Sequence, residues 1–229
     1  MGKLIVVEGA CDGIGKSTQY SLLKERLIKE GNNVVSHHFP SYGEYQGVPV
    51  EKYLNGEFGN IEELSPYFIN NLYAVDRAIT WHSYLKKEYQ NSIILLDRYT
   101  TSSLIYQSAL IEDIEKRKEF IDYVISFEYE KLGIKKPDLV IFLEAPYDLV
   151  KKLRNERKVN DGIQNDIHEK NDEFMRKVYK NALFVADYLK FSKIKCNDGE
   201  HMRSINDIHN DIYKLIKSCW LILVKMLYL

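Results

Sequence analysis

One run of residues near the start limits what this chain can become. Lys3-Leu4-Ile5-Val6-Val7 is a short apolar stretch rich in branched side chains, the pattern of a buried strand. Glu8-Gly9-Ala10-Cys11-Asp12-Gly13-Ile14-Gly15-Lys16-Ser17-Thr18 follows, and then Leu22, Leu23, Leu27 and Ile28 recur at helical spacing. Strand, glycine loop, Gly-Lys-Ser and helix together form the context of a phosphate-binding P-loop. Glycines admit backbone N–H groups to a polyphosphate, and the helix start adds free donors and partial positive charge. Gly13, Ile14, Gly15, Lys16, Ser17 and Thr18 are therefore the expected phosphate binders, with Lys16 on the β- and γ-phosphates and the Ser17 hydroxyl on Mg²⁺. The usual spacing puts a glycine six residues before the lysine. Ala10 stands there and Gly9 comes one residue early, so the loop is expected to carry one extra residue.

Beyond the loop the chain alternates strands and helices. Val34 to Phe39 is expected to form a second strand, ended by Pro40. Ser41 to Gly47 has loop composition, and a short helix is expected over Val50 to Leu54, closed by Asn55-Gly56. Ser65-Pro66 marks a helix start, with Ser as N-cap and Pro in the first turn, running to about Tyr89. Ser92 to Asp97 is a third strand, nearly all apolar and hence buried on both faces, and it ends in a carboxylate. Helices are expected near 101–110 and 115–132, a fourth strand over Asp138 to Leu143, and a helix over Pro146 to Arg157. Residues 158–168 are polar and are expected to form a mobile loop. A helix from Glu169 to Leu189, a weak fifth strand over Lys193 to Cys196 and a last helix capped by Ser204 with Asp207 complete the pattern. Such alternation implies a parallel sheet covered on both faces, with ligands at the carboxyl ends of the strands. Glu8 to Gly15, His38 to Tyr42 and Asp97 to Thr101 all lie there.

The 229 residues are enough for one substantial core, and no linker or composition shift divides them. A single domain is expected over 1–217, with a lid about 154–168 and an apolar tail over 218–229. The tail is too short to span a bilayer, so no membrane span is expected. A net charge of −1 provides no broad basic field for nucleic acid. The three cysteines, Cys11, Cys196 and Cys219, show no C-x-x-C spacing. That argues against a disulfide framework or zinc site and suits a reducing cytoplasm. The amino terminus enters the first strand at once, so no signal peptide is expected. His37 and His38 are strand neighbours that point to opposite faces, which argues against a shared metal.

Asp97 ends a buried strand, where a Walker-B-type carboxylate meets Mg²⁺. Arg98 follows directly and suits a bidentate grip on a phosphate. Asp97-Arg98-Tyr99, then Ser102 and Tyr106-Gln107, resembles the "DRY…S…AYQ" segment of thymidylate kinases. Leu72-Tyr73-Ala74-Val75-Asp76-Arg77 resembles that family's "LFAADR" helix segment, and Phe39-Pro40-Ser41-Tyr42 its "FPRY" loop. Asp166-Ile167-His168-Glu169 resembles the close of its lid.

The resemblance implies an α/β fold of the P-loop nucleoside monophosphate kinase type: three layers, a five-stranded parallel sheet, surrounding helices and a lid. It implies transfer of the γ-phosphoryl of ATP to dTMP with Mg²⁺, in a homodimer. Asp12 would help position acceptor and metal, Lys16 bind the transferring phosphoryl and Arg98 grip the dTMP phosphate. Arg77 would hydrogen-bond the thymine edge, Tyr73 stack on the base, Ser103 lie near it and Tyr106 disfavour a ribose hydroxyl. Phe39, Pro40, Tyr42 and Gln107 complete the acceptor side, and Ser17 and Asp97 would hold the metal. Ser41 replaces the loop arginine of many members, and Gly13 stands where the yeast and human type carry an arginine. Arg154 and Arg157, near the end of a helix, are the expected cationic substitutes, with Lys158 a third.

The acceptor chemistry agrees without the family. The second strand ends His-Phe-Pro-Ser, with no acid until Glu44 to deprotonate a sugar hydroxyl. A nucleotide 5′-phosphate, with a second pKa near ~6, is already mostly a dianion and needs no base. A kinase for another nucleotide or a deoxynucleoside, and a nucleotide-binding protein without catalysis, are the alternatives.

Overall fold

The structure is a computed structural model that describes residues 2–161 and 172–227, and the side chains of these except 62, 156–161 and 220–227. β1 (Lys3–Gly9) leads through the phosphate loop into α1 (Lys16–Lys29) and back to β2 (Val34–His38). α2 (Val48–Leu54) and α3 (Pro66–Thr80) follow. A π-helical turn, Trp81–Leu85, then continues α3 into α4 (Lys86–Glu88). β3 (Ile93–Asp97), α5 (Thr100–Tyr106) and α6 (Ile114–Ile125) come next, and a second π-helical turn, Ser126–Lys131, extends α6. The chain finishes with β4 (Leu139–Glu144), α7 (Tyr147–Asp161), α8 (Asp172–Tyr188), β5 (Ser192–Lys195), the pair β6 (Asn197–Asp198) and β7 (His201–Met202), and α9 (Ile205–Leu227).

The five long strands form one sheet in the order β2-β3-β1-β4-β5, every pairing parallel. The expected α/β fold with a five-stranded parallel sheet and surrounding helices is therefore present. Alternation along the strands sends side chains to two covers. Ile5, Val7, Ile93 and Leu95 enter the larger core with Leu23, Leu27, Val178 and Ile212. Leu4, Val6, Ile94 and Leu96 enter the smaller one with Phe39, Trp81 and Leu85. Burial on both faces is why β1 and β3 are almost entirely apolar before their carboxyl ends. Their carboxyl ends, not their amino ends, carry Glu8, His38 and Asp97.

Helix starts follow local chemistry. Ser65 Oγ accepts from Tyr67 N at 3.3 Å ahead of Pro66, and Ser204 Oγ accepts from Asp207 N at 3.1 Å. Three boundaries differ from the sequence reading. The helix expected over 65–89 is interrupted by the π-helical turn, which keeps both Trp81 and Leu85 in the smaller core. α7 continues to Asp161, so residues 158–161 are helical instead of loop, and 162–168 of the expected lid lie outside the described residues. The stretch 218–227 continues α9 and is not a separate tail. The hairpin of β6 and β7 had no local signal beyond Asp198-Gly199. Gly199 sits there at φ 59°, a left-handed turn that glycine adopts at no steric cost. Among the described residues no helix is long and apolar enough to cross a membrane.

Candidate active site

The phosphate loop leaves β1 at Gly9, which still pairs with Leu143 of β4, and the Ala10 N–H donates to the Leu143 carbonyl at 2.9 Å. Ala10 and Cys11 are buried in the larger core, so the extra residue is taken up as packed chain. Gly13 and Gly15 then adopt φ of 93° and 96°, and Gln19 N donates to the Gly15 carbonyl at 3.0 Å as α1 begins. Burial, aided by the neighbouring Asp12 charge, pushes the Cys11 thiol up to about 12. A thiol so held is a filler and not a nucleophile.

Ser17 and Thr18 are exposed at the start of α1. Lys16 Nζ forms an ion pair with Asp97, and His38 Nδ1 lies 3.1 Å from the other Asp97 oxygen. Burial opposes the Asp97 charge, but His38 and Lys16 outweigh it and hold this carboxyl far below the usual range. Arg154, near the middle of α7, is nine-tenths buried and lies over the loop. A Cβ on Gly13 would come within 2.9 Å of the Arg154 Cβ, so the missing side chain at 13 is what admits the arginine. Its Nε has no hydrogen-bond partner among the described residues. The side chains of Arg157 and Lys158 lie outside the described residues, as does the segment Asp166 to Glu169.

Beside the loop opens a cleft with polar and aromatic walls. Every acceptor-side residue expected from the sequence lines it. Phe39, Pro40 and Tyr42 come from the loop after β2, Tyr73 and Arg77 from α3, and Asp12 from the phosphate loop. Arg98 comes from the end of β3, and Ser103, Tyr106 and Gln107 come from α5 and the residue after it. Leu54, Tyr99 and Ser102 line it too. Asp12 joins the two sides. One carboxyl oxygen pairs with Arg98 Nη2, and the other accepts from Tyr106 Oη at 2.8 Å. Burial works against the Asp12 charge, but Arg98, Lys16 and the Tyr106 hydroxyl together hold its carboxyl below the ordinary range. Burial and Asp12 push Tyr106 well above its ordinary value, so it remains a donor. Arg98 takes φ 66°, a left-handed backbone uncommon outside glycine, as it leaves β3 for the cleft.

Three carboxylates behind these walls were not singled out in the sequence. Glu8, fully buried at the end of β1, accepts from Gly9 N at 3.1 Å, Thr101 Oγ1 at 3.0 Å and Ser102 Oγ at 2.5 Å. It ties the phosphate loop to the start of α5. Asp76 accepts from Ser41 N at 2.8 Å and so fastens the Phe39–Tyr42 loop to α3. Glu128, on the second π-helical turn, pairs with Arg77 through two bonds of 2.7 Å. A polar residue inside an apolar strand was a legible sign for Glu8. Glu128, set among charged helix residues, carried none.

A main-chain phosphate loop facing a cleft of arginines, a carboxylate and aromatic rings, on a parallel sheet of this order, defines a P-loop nucleotide kinase. The thymidylate kinase family matches residues 7–212, and the chain belongs to that family. A probable thymidylate kinase of Thermococcus onnurineus is 32% identical over 218 residues, covering 93% of this chain and 96% of the relative. A thymidylate kinase of Chlamydia felis is 32% identical over 70% of this chain and 74% of its own length. The structure of a thymidylate kinase from Candida albicans superposes with a TM-score of 0.71 at 22% identity, covering 95% of this chain and 92% of that one, and shares the fold.

Proposed function

We propose that this chain transfers the γ-phosphoryl of ATP to dTMP, giving dTDP and ADP. The observation that carries the reading is the cleft: ten residues from four separate segments, named from the sequence for one acceptor, line a single space beside the phosphate loop. The dTMP phosphate sits by Arg98 and Asp12, its base between Tyr73 and the α5 wall, with Arg77 at the base edge. Tyr106, held by Asp12, occupies the space a ribose 2′-hydroxyl needs. The acceptor dianion is itself the nucleophile, so Asp12 serves as an orienter and not as a base. Lys16 and Arg154 meet charge that spreads over the transferring phosphoryl.

The donor set at the loop suits a hard cation: the exposed Ser17 hydroxyl and the ionised Asp97 carboxylate, oxygen ligands only. Ser17 and Asp97 would hold Mg²⁺, which, when bound, neutralises phosphate charge. Tyr67, Phe68 and Val75 leave apolar surface exposed on α3, which favours a homodimer. We place the protein in the cytoplasm, on its unpaired cysteines.

The test is ADP formation from Mg-ATP with dTMP, dUMP, UMP, dCMP, thymidine or no acceptor. Strong turnover with dTMP, weak turnover with UMP and none with thymidine is expected. Turnover with thymidine alone, or none with any acceptor despite ATP binding, would overturn the reading.

A further inference from the structure

β1 and β3 pair from Lys3–Ile93 as far as Val7–Asp97. Beyond Val7, β1 keeps its ladder with β4, through Glu8–Phe142 and Gly9–Leu143, and runs into the phosphate loop. Asp97 leads instead through Arg98 into α5, which carries Ser103 and Tyr106 of the cleft wall. The donor and acceptor sides part at this fork, and Glu8 stands in it, fully buried. Oε1 accepts from Gly9 N, where the loop leaves the strand, at 3.1 Å. Oε2 accepts from Thr101 Oγ1 at 3.0 Å and Ser102 Oγ at 2.5 Å, in the first turn of α5. Asp12 bridges the same two sides, but through Arg98 and Tyr106, which line the cleft. Gly9 and Thr101 do not line it, so a ligand in the cleft leaves their bonds to Glu8 in place. Burial opposes the Arg98 charge, but Asp12, Tyr106, Glu8 and Asp97 outweigh it and hold that guanidinium well above its ordinary range.

We propose that Glu8 is a positioning residue: its carboxylate, bonded to the loop through one oxygen and to α5 through the other, sets the spacing across which the phosphoryl group passes. The inference rests on the dTMP kinase reading. Transfer needs the attacking oxygen about 3–3.5 Å from phosphorus, and a misplacement of about 1 Å costs about 10²-fold in rate. The loop holds ATP and the cleft holds dTMP. A change in the spacing between them leaves each ligand its own contacts and slows the transfer alone. An amide at position 8 offers one acceptor oxygen where the carboxylate offers two. The loop N–H and the two hydroxyls then cannot all donate as they do to Glu8, and the tie loosens.

The experiment is a double-mutant cycle across the tie. Wild type, Glu8→Gln, Thr101→Val, Thr101→Ser and the Glu8→Gln/Thr101→Val double variant are assayed with Mg-ATP and dTMP, in steady state and in single turnover. Glu8→Gln should lower kcat and the single-turnover rate about 20-fold, with the KM for dTMP and for ATP each within about twofold of wild type. Thr101→Val removes one hydroxyl from Oε2 at nearly constant shape and should lower kcat about fivefold, again with both KM values unmoved. Thr101→Ser keeps the hydroxyl and should recover most of that loss. The double variant should be no slower than Glu8→Gln, since both substitutions cut the same tie. If Glu8→Gln does not fold, the two Thr101 variants decide, and a wild-type kcat in Thr101→Val would overturn the proposal. A raised KM for dTMP at unchanged kcat in Glu8→Gln would make Glu8 a support of the Arg98 charge and overturn it too, as would losses that add in the double variant. Each of these outcomes leaves the kinase reading intact. A wild type inactive with dTMP would sink that reading and this proposal with it.

Discussion

On the acceptor side Arg77 has four N–H groups bonded within the protein, Tyr106 is bonded to Asp12, and the Phe39–Tyr42 loop hangs from Asp76. On the donor side the loop from Gly13 to Thr18 offers left-handed glycines, main-chain groups and two exposed hydroxyls, with Lys16 turned onto Asp97. The contrast follows from what each side must recognise. Phosphates are alike in every nucleotide, and backbone amides at a helix start hold them without side-chain order. A base is distinguished only by a few edge atoms, so its partners must be fixed beforehand. Fixing a charged side chain requires burial with a complete set of partners. On the proposed reading the acceptor side stores its specificity in a buried polar network, and the donor side does not.

This contrast can be broken most directly at Lys16. Lys16→Ala should lower kcat by about 10³-fold while leaving the KM for dTMP nearly unchanged, because the lysine serves the phosphoryl and not the base. A parallel rise in that KM would show the two sides to be one. Arg98→Ala should cost about 10²-fold in kcat/KM for dTMP, with ATP binding retained by calorimetry. Loss of ATP binding as well would place Arg98 on the donor side.

Tyr106→Phe removes the hydroxyl that orients Asp12 and keeps the ring. It should lower kcat/KM about tenfold, without changing the preference for dTMP over its ribonucleotide counterpart. Tyr106→Ala should relax that preference. An unchanged preference would remove the ring from the discrimination.

Asp97 tests the donor side through pH. Its carboxyl is held far below the ordinary range, since His38 and Lys16 outweigh burial. A depressed folded-state pKa stabilises the fold above the unfolded value of ~3.9, and the contribution fades as the pH falls toward the folded one. Asp97→Asn should thus be about 1–3 kcal/mol less stable than wild type at pH 7, with the gap narrowing steadily below pH ~4 in urea melts. A gap independent of pH would deny Asp97 its charge. The smallest effect is expected at the cysteines. Cys11 is buried with its thiol at about 12, so iodoacetamide at pH 8 should label the half-buried Cys219 first and leave activity intact. Early labelling of Cys11 would show that the loop opens far more than its packing implies.

Much of the site was legible because its chemistry is local. The phosphate loop is contiguous, and Arg98 follows Asp97 at a strand end. Tyr73 and Arg77 are four residues apart, hence on one helical face. Strand burial was legible from unbroken apolar runs. Helix ends were less so. The π-helical turns at 81–85 and 126–131 insert a residue into the helical repeat, and tertiary packing, not propensity, decides where that is tolerated. The second of these turns carries Glu128, which is why its inward orientation had no periodic signal.

The sequence by itself determined the parallel α/β sheet and the phosphate loop, and the family resemblance of its short motifs named the ten residues that line the cleft. Strand periodicity, glycine conformations and short motifs act over a few residues and need no distant partner. Only the tertiary structure decided which buried charges complete one another. It set Glu128 against Arg77 across 51 residues, Glu8 against Thr101 across 93, and Arg154 over Gly13. A buried charge is stable only where a counter-charge or hydrogen-bonding groups meet it, and long-range packing, which no local pattern encodes, chooses the element that supplies them.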